Sequence, residues 1–71
     1  SAFSMLSRVV ARVAELEFRK GRFEVAVNYF GRLVHLSNNK KEQYTAWSGL
    51  MESHYLLAQY DSADVYARII L

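Results

Sequence analysis

The sequence predicts an all-α chain of about four helices, built as antiparallel helix-turn-helix repeats. Three observations carry this. Proline is absent and glycine occurs only three times, while 52% of the 71 residues are hydrophobic. That composition suits neither a disordered linker nor a turn-rich β-sandwich. Apolar residues recur at three- and four-residue steps from end to end, the signature of amphipathic helices. The second half of the chain also repeats the first at a fixed offset.

Leu6, Val10, Val13 and Leu16, flanked by Val9 and Ala14, define a first helix from about residue 3 to residue 20. Gly21 then supplies the permissive backbone of a helix C-cap and tight turn. A second helix starts near Phe23, with Ala26, Val27, Phe30, Leu33 and Val34 as its apolar face, and closes near residue 36 or 37 at the turn formers Ser37-Asn38-Asn39. The third run starts near Glu42, places Trp47, Leu50, Met51, His54 and Tyr55 at helical spacing, and should stop near Gln59. A fourth begins at about Asp61 and carries Ala63, Tyr66, Ala67 and Ile70. Short connections make successive helices antiparallel neighbours.

Shifting the chain by 37 residues lays Val13 on Leu50, Glu15 on Glu52, Phe18 on Tyr55, Phe23 on Tyr60, Ala26 on Ala63, Tyr29 on Tyr66 and Leu33 on Ile70. Apolar, aromatic and charged positions match together, which implies two tandem helix-turn-helix units. Such units bury their apolar faces only by stacking on neighbours.

These residues resemble the tetratricopeptide repeat family, whose pattern is W-x2-L-G-x2-Y, then A-x3-F, then P. The second unit reads Trp47-x2-Leu50-Met51-x2-His54, then Ala63-x3-Ala67. The first reads Val10-x2-Val13-Ala14-x2-Glu17, then Ala26-x3-Phe30. The resemblance gives one domain over 1–71, with repeat one at about 7–40 and a truncated repeat two at about 44–71. It departs from the pattern at Glu17, where an aromatic is usual, at Asn38, often Pro, and at Met51, usually Gly or Ala. The 37-residue spacing exceeds the family's 34, and a widened loop around Asn38 to Glu42 accommodates the difference. An unrelated four-helix bundle is the alternative architecture.

Composition also bounds the chemistry. With no cysteine there is no disulfide or thiolate metal site. His35 and His54 lack metal-ligand spacing, and no nucleophile elbow or phosphate-binding glycine loop is present. The sequence therefore predicts no enzyme, no cofactor and no metal. His54 reads as a packed or hydrogen-bonded residue and Trp47 as a core aromatic wedged between units. Gly31 and Gly49 lie inside helices, where each costs about 1 kcal/mol relative to alanine. That cost suggests close approach of another group, or else tolerance at an exposed surface.

The net charge of +2 divides unevenly: residues 1–41 hold eight basic and three acidic groups, a balance of +5, whereas residues 42–71 hold one basic and four acidic, a balance of −3. Glu15, Glu17 and Glu24 interrupt the basic half, so nucleic-acid binding is disfavoured. Charges also break every long apolar run, so no membrane insertion is expected.

In the resembled family the first helix of each unit lines a concave groove that accepts a peptide or partner helix. Carried over by position, Arg8, Ala11, Arg12, Glu15, Phe18 and Arg19 on helix 1, with Thr45, Ser48, Glu52 and Tyr55 on helix 3, line it here. The family's carboxylate clamp is missing, since Ala11 and Glu15 stand at its sites. The leading expectation is a protein-interaction or scaffold module whose groove takes a protein or peptide through Arg8, Arg12, Glu15, Phe18, Arg19, Ser48, Glu52 and Tyr55. The alternative for this stripe is an ordinary solvated face. A second expectation is homo-oligomerisation. A 71-residue core supplies at most about 3–5 kcal/mol, and the apolar edge Ile69, Ile70, Leu71 carries no polar cap. The start at Ser1 rather than Met suggests a mature form or a piece of a longer protein. The stretches Gly49-Leu50-Met51 and Tyr55-Leu56-Leu57 loosely resemble bacterial multi-repeat proteins, some of them envelope-associated.

Overall fold

A computed structural model describes residues 2–71, and those residues form four α-helices and no strand: α1 Ala2–Arg19, α2 Phe23–Leu36, α3 Lys40–Leu56 and α4 Tyr60–Ile70. Each helix packs on the next, and α1 also touches α3. The fold is thus an all-α stack of consecutive helices.

The 37-residue offset is reproduced in the backbone. Gly21, at φ 79°, and Ala58, its counterpart at φ 60°, both take the left-handed conformation. The Gly21 amide donates to the Phe18 carbonyl and the Ala58 amide to the Tyr55 carbonyl, both at 2.9 Å; the next amides, Arg22 and Gln59, reach Glu17 and His54 at 2.9 and 2.8 Å. This paired pattern is a Schellman closure, which satisfies the last carbonyls of a helix. The following residues match as well: Arg22 sits at φ −90°, ψ 68° and Gln59 at φ −94°, ψ 70°.

Side chains around the two turns are equivalent too. Phe18 meets Phe23 edge-on at 5.3 Å, and Tyr55 meets Tyr60 at 5.5 Å. Glu17 faces Arg22 at 3.7 Å, where His54 Nδ1 lies 2.7 Å from Gln59 Oε1. A polar pair therefore spans the turn in both units, which accounts for Glu17 at a position the pattern gives to an aromatic.

Two boundaries differ from the sequence expectation, both on α3. The helix starts at Lys40 rather than near Glu42, because Asn39 acts as its N-cap: the side-chain oxygen accepts the Glu42 amide at 3.0 Å. It ends at Leu56 rather than near Gln59, because Ala58 adopts the turn conformation that glycine holds in the first unit. The widened loop is also corrected. The connection is only Ser37-Asn38-Asn39, and residues 40–42 are the first turn of α3.

The core is built mainly from small residues. Ala11, Ala14, Ala26 and Ala46 are buried together with Val10, Phe30, Leu33 and Leu50, and Ala63 is buried in α4. Alanines at the crossings let helices approach closely, and the few large side chains fill the remaining depth. Phe30 packs on α3, where a Cβ on Gly49 would fall 2.5 Å from its ring. Gly49 is thus required by close approach. Gly31 is not, since nothing lies within 4 Å of an added Cβ there.

Trp47 is half-buried and packs against the core cluster, as a core aromatic should. It also stacks on Tyr66 of α4 at 5.8 Å, and Tyr66 stacks on His54 at 5.4 Å, so the same ring ties α3 to α4.

A network that the sequence reading missed fixes the link between units. Glu42 Oε1 accepts the hydroxyls of Ser7 at 2.9 Å and Ser37 at 2.6 Å, and Gln43 donates to the Ser37 carbonyl at 2.8 Å. Ser7 and Ser37 are buried. Glu42 therefore bolts the loop to α1, with hydrogen bonds to a carboxylate among the stronger kinds.

Candidate interaction groove

The Phe30–Gly49 contact sets the floor of a cleft between α1 and α3. Because Gly49 has no side chain, the Phe30 ring packs against α3 there and closes the bottom of the cleft, itself only 3% exposed. Glu15, Phe18 and Arg19 come from α1, and Thr45, Ser48 and Glu52 from α3, around an open volume of about 240 Å³. Helical spacing explains the grouping. Glu15, Phe18 and Arg19 stand at steps of three, four and one, and Thr45, Ser48 and Glu52 at steps of three and four, so each set shares one helix face. Ser48 turns its hydroxyl back to the carbonyls of Tyr44 and Thr45, leaving the wall of the cleft low.

Of the eight expected groove residues, Glu15, Phe18, Arg19, Ser48 and Glu52 meet in this cleft. The other three do not. Arg8 and Arg12 are exposed on α1 but do not line it. Tyr55 belongs to a neighbouring cleft between α3 and α4, because its ring turns toward Tyr60. Thr45 lines the cleft as its position implied. Phe30 was missed as floor, although a glycine inside α3 was the signal that a bulky partner lay opposite.

The neighbouring cleft is larger, about 530 Å³, and mostly apolar: Met51, Tyr55 and Leu56 form one wall, Tyr60, Ala63 and Ala67 the other, and Glu52 and Asp64 the charged rim. At the chain's apolar edge Ile69 and Leu71 are exposed, whereas Ile70 is half-buried like the wholly buried Leu33 it matches.

Among the described residues no three His, Cys, Asp or Glu side chains gather in a way that holds a metal ion. His35 is exposed on α2, and His54 is engaged by Gln59 and Tyr66. No helix of the described residues is long and apolar enough to cross a membrane. Comparison with protein-family models, with curated proteins and with solved structures gives no match.

Proposed function

We propose that the chain is a non-catalytic protein-interaction module of tetratricopeptide-repeat type, which takes a peptide or partner helix in the cleft between α1 and α3. The observation that carries this reading is the joining of Glu15, Phe18, Arg19, Ser48 and Glu52 over the Phe30 ring. At about 240 Å³ the cleft is below the roughly 300–1,000 Å³ typical of small-molecule sites. It fits one or two side chains of an extended segment better than a whole metabolite. The half-buried Phe18 contributes apolar area, and the mixed-charge rim selects the sequence that enters.

Selection of displayed random peptides on the 71-residue chain tests this. Ser48→Trp fills the cleft from the solvent side and should weaken selected peptides at least tenfold with the helical circular dichroism unchanged. Peptides that bind both forms alike, or a library that yields no binder, would remove the groove reading.

A second reading, self-association, is favoured by the apolar α3–α4 cleft. An apolar patch of this kind is a contact surface or an aggregation liability. On this reading the tyrosines, Met51 and the edge at Ile69, Ile70 and Leu71 meet another copy.

A further inference from the structure

The molecule contains one filled copy of the interface that its open cleft lacks. Within the chain, α3 lays Ala46, Gly49, Leu50 and Ser53, all buried, against the first unit, where Ala14, Ala26, Phe30 and Leu33 are buried. Moving that receiving surface forward by 37 residues gives Met51, Ala63 and Ala67, which line the open α3–α4 cleft, and the half-buried Ile70 at the end of α4. Moving the inserted face of α3 back by 37 residues gives Val9, Arg12, Val13 and Leu16 on α1. That face is bare: Val9 is 51% and Leu16 36% exposed, and Arg12 is exposed beside them. One end of the stack thus has the form of the socket and the other the form of the plug.

Size and charge complement each other in this pair. Inside the chain a large ring, Phe30, meets a residue with no side chain, Gly49. In the corresponding pair between copies the large and small partners exchange places, with Ala67 in the socket and Arg12 in the plug. Val9 and Leu16 likewise replace the smaller Ala46 and Ser53, so the plug is bulkier, and the socket is roomier at Ala67 while Met51 is larger than its counterpart Ala14. Glu52 and Asp64 rim the socket, and Arg8 and Arg12 flank the plug. Asp64 holds Arg68 at 3.0 Å, but that pair is exposed and an exposed pair is weakly held.

Resting on the self-association reading above, we propose that the occupant of the α3–α4 cleft is α1 of a second copy of this chain, docked head to tail so that the internal stacking continues from one molecule to the next. Such a contact is heterologous. Each dimer keeps one free plug and one free socket, so assembly does not stop at two unless the ring closes. This differs from a symmetric pairing of the Ile69–Leu71 edges, which ends at a dimer.

Analytical ultracentrifugation of the 71-residue chain and of three variants tests the geometry. The unaltered chain should show a mass that rises past the dimer with concentration. Arg12→Glu, which reverses the plug charge, and Ala67→Trp, which fills the socket, should each associate at least tenfold more weakly. An equal mixture of the two should recover a one-to-one dimer, since one variant keeps an intact socket and the other an intact plug. Asp64→Lys changes an exposed rim charge, giving up only the weakly held pair with Arg68, and guards against misfolding by the tryptophan; it should weaken self-association and be rescued by mixing with Arg12→Glu. A chain that stays monomeric at millimolar concentration overturns this proposal together with the self-association reading. A chain that stops at a dimer, and does so equally with Arg12→Glu, leaves self-association standing and overturns the head-to-tail arrangement.

Discussion

The two halves of the molecule share a turn and differ in their cores. Both turns close with the same hydrogen bonds around a left-handed residue, flanked by an aromatic pair and a polar pair. The first unit then buries Ala14, Phe30 and Leu33 completely or nearly so, whereas their counterparts Met51, Ala67 and Ile70 are only half-buried. The difference is caused by α3, which covers the first unit, whereas no helix among the described residues covers the second in the same way. Local sequence thus determines the turn, and the neighbour determines whether the face beyond it becomes core. Burial in such a stack belongs to interfaces between units more than to the units themselves.

Phe30 is where this comparison breaks most sharply. Phe30→Ala should cost about 3–5 kcal/mol, of the order of the whole stability of a domain this small, and leave the chain largely unfolded in a urea titration. Converting the counterpart Ala67 to serine should shift the midpoint far less, because that position is not enclosed.

The two helical glycines sharpen the same contrast. Gly49→Ala drives a methyl into the Phe30 ring and should destabilise by about 1–3 kcal/mol. Gly31→Ala meets nothing and should stabilise by up to about 1 kcal/mol through helix propensity. Thermal melts of the pair should move in opposite directions. Equal shifts would show that the Phe30 contact is not held in solution.

The smallest effect concerns the matched turns. Ala58→Gly relieves a left-handed backbone at the loss of some unfolded-chain restriction, for a net gain of about 0.5–1 kcal/mol. Gly21→Ala should lose a similar amount. A chain carrying both changes should melt close to the original, since the turns are equivalent and well separated.

Much of this fold was legible in the sequence, and the misses have physical causes. Helices α1, α2 and α4 each show one apolar stripe, so their limits were readable to within a residue or two. Helix α3 is contacted by α1, α2 and α4, three helices where every other helix meets at most two, which blurs its stripe. Its limits were misplaced for that reason, and because Asn39 and Ala58 act through backbone geometry that identity alone only hints at. The groove was readable where residues of α1 and α3 share a face. Tyr55 lies in the neighbouring cleft because an aromatic pair within its own unit turns it toward Tyr60. The Glu42 network was invisible because it joins Ser7 and Ser37, positions brought together only by stacking.

Helix α4 touches α3 alone, whereas α2 and α3 each have a helix on both sides. In a stack held by nearest neighbours, the free energy of opening a helix is set by the interfaces it must give up. Local opening should therefore cost least at α4 and most at α2 and α3. Amide hydrogens of α4 should exchange with solvent through fraying of that single contact, ahead of those of α2 and α3.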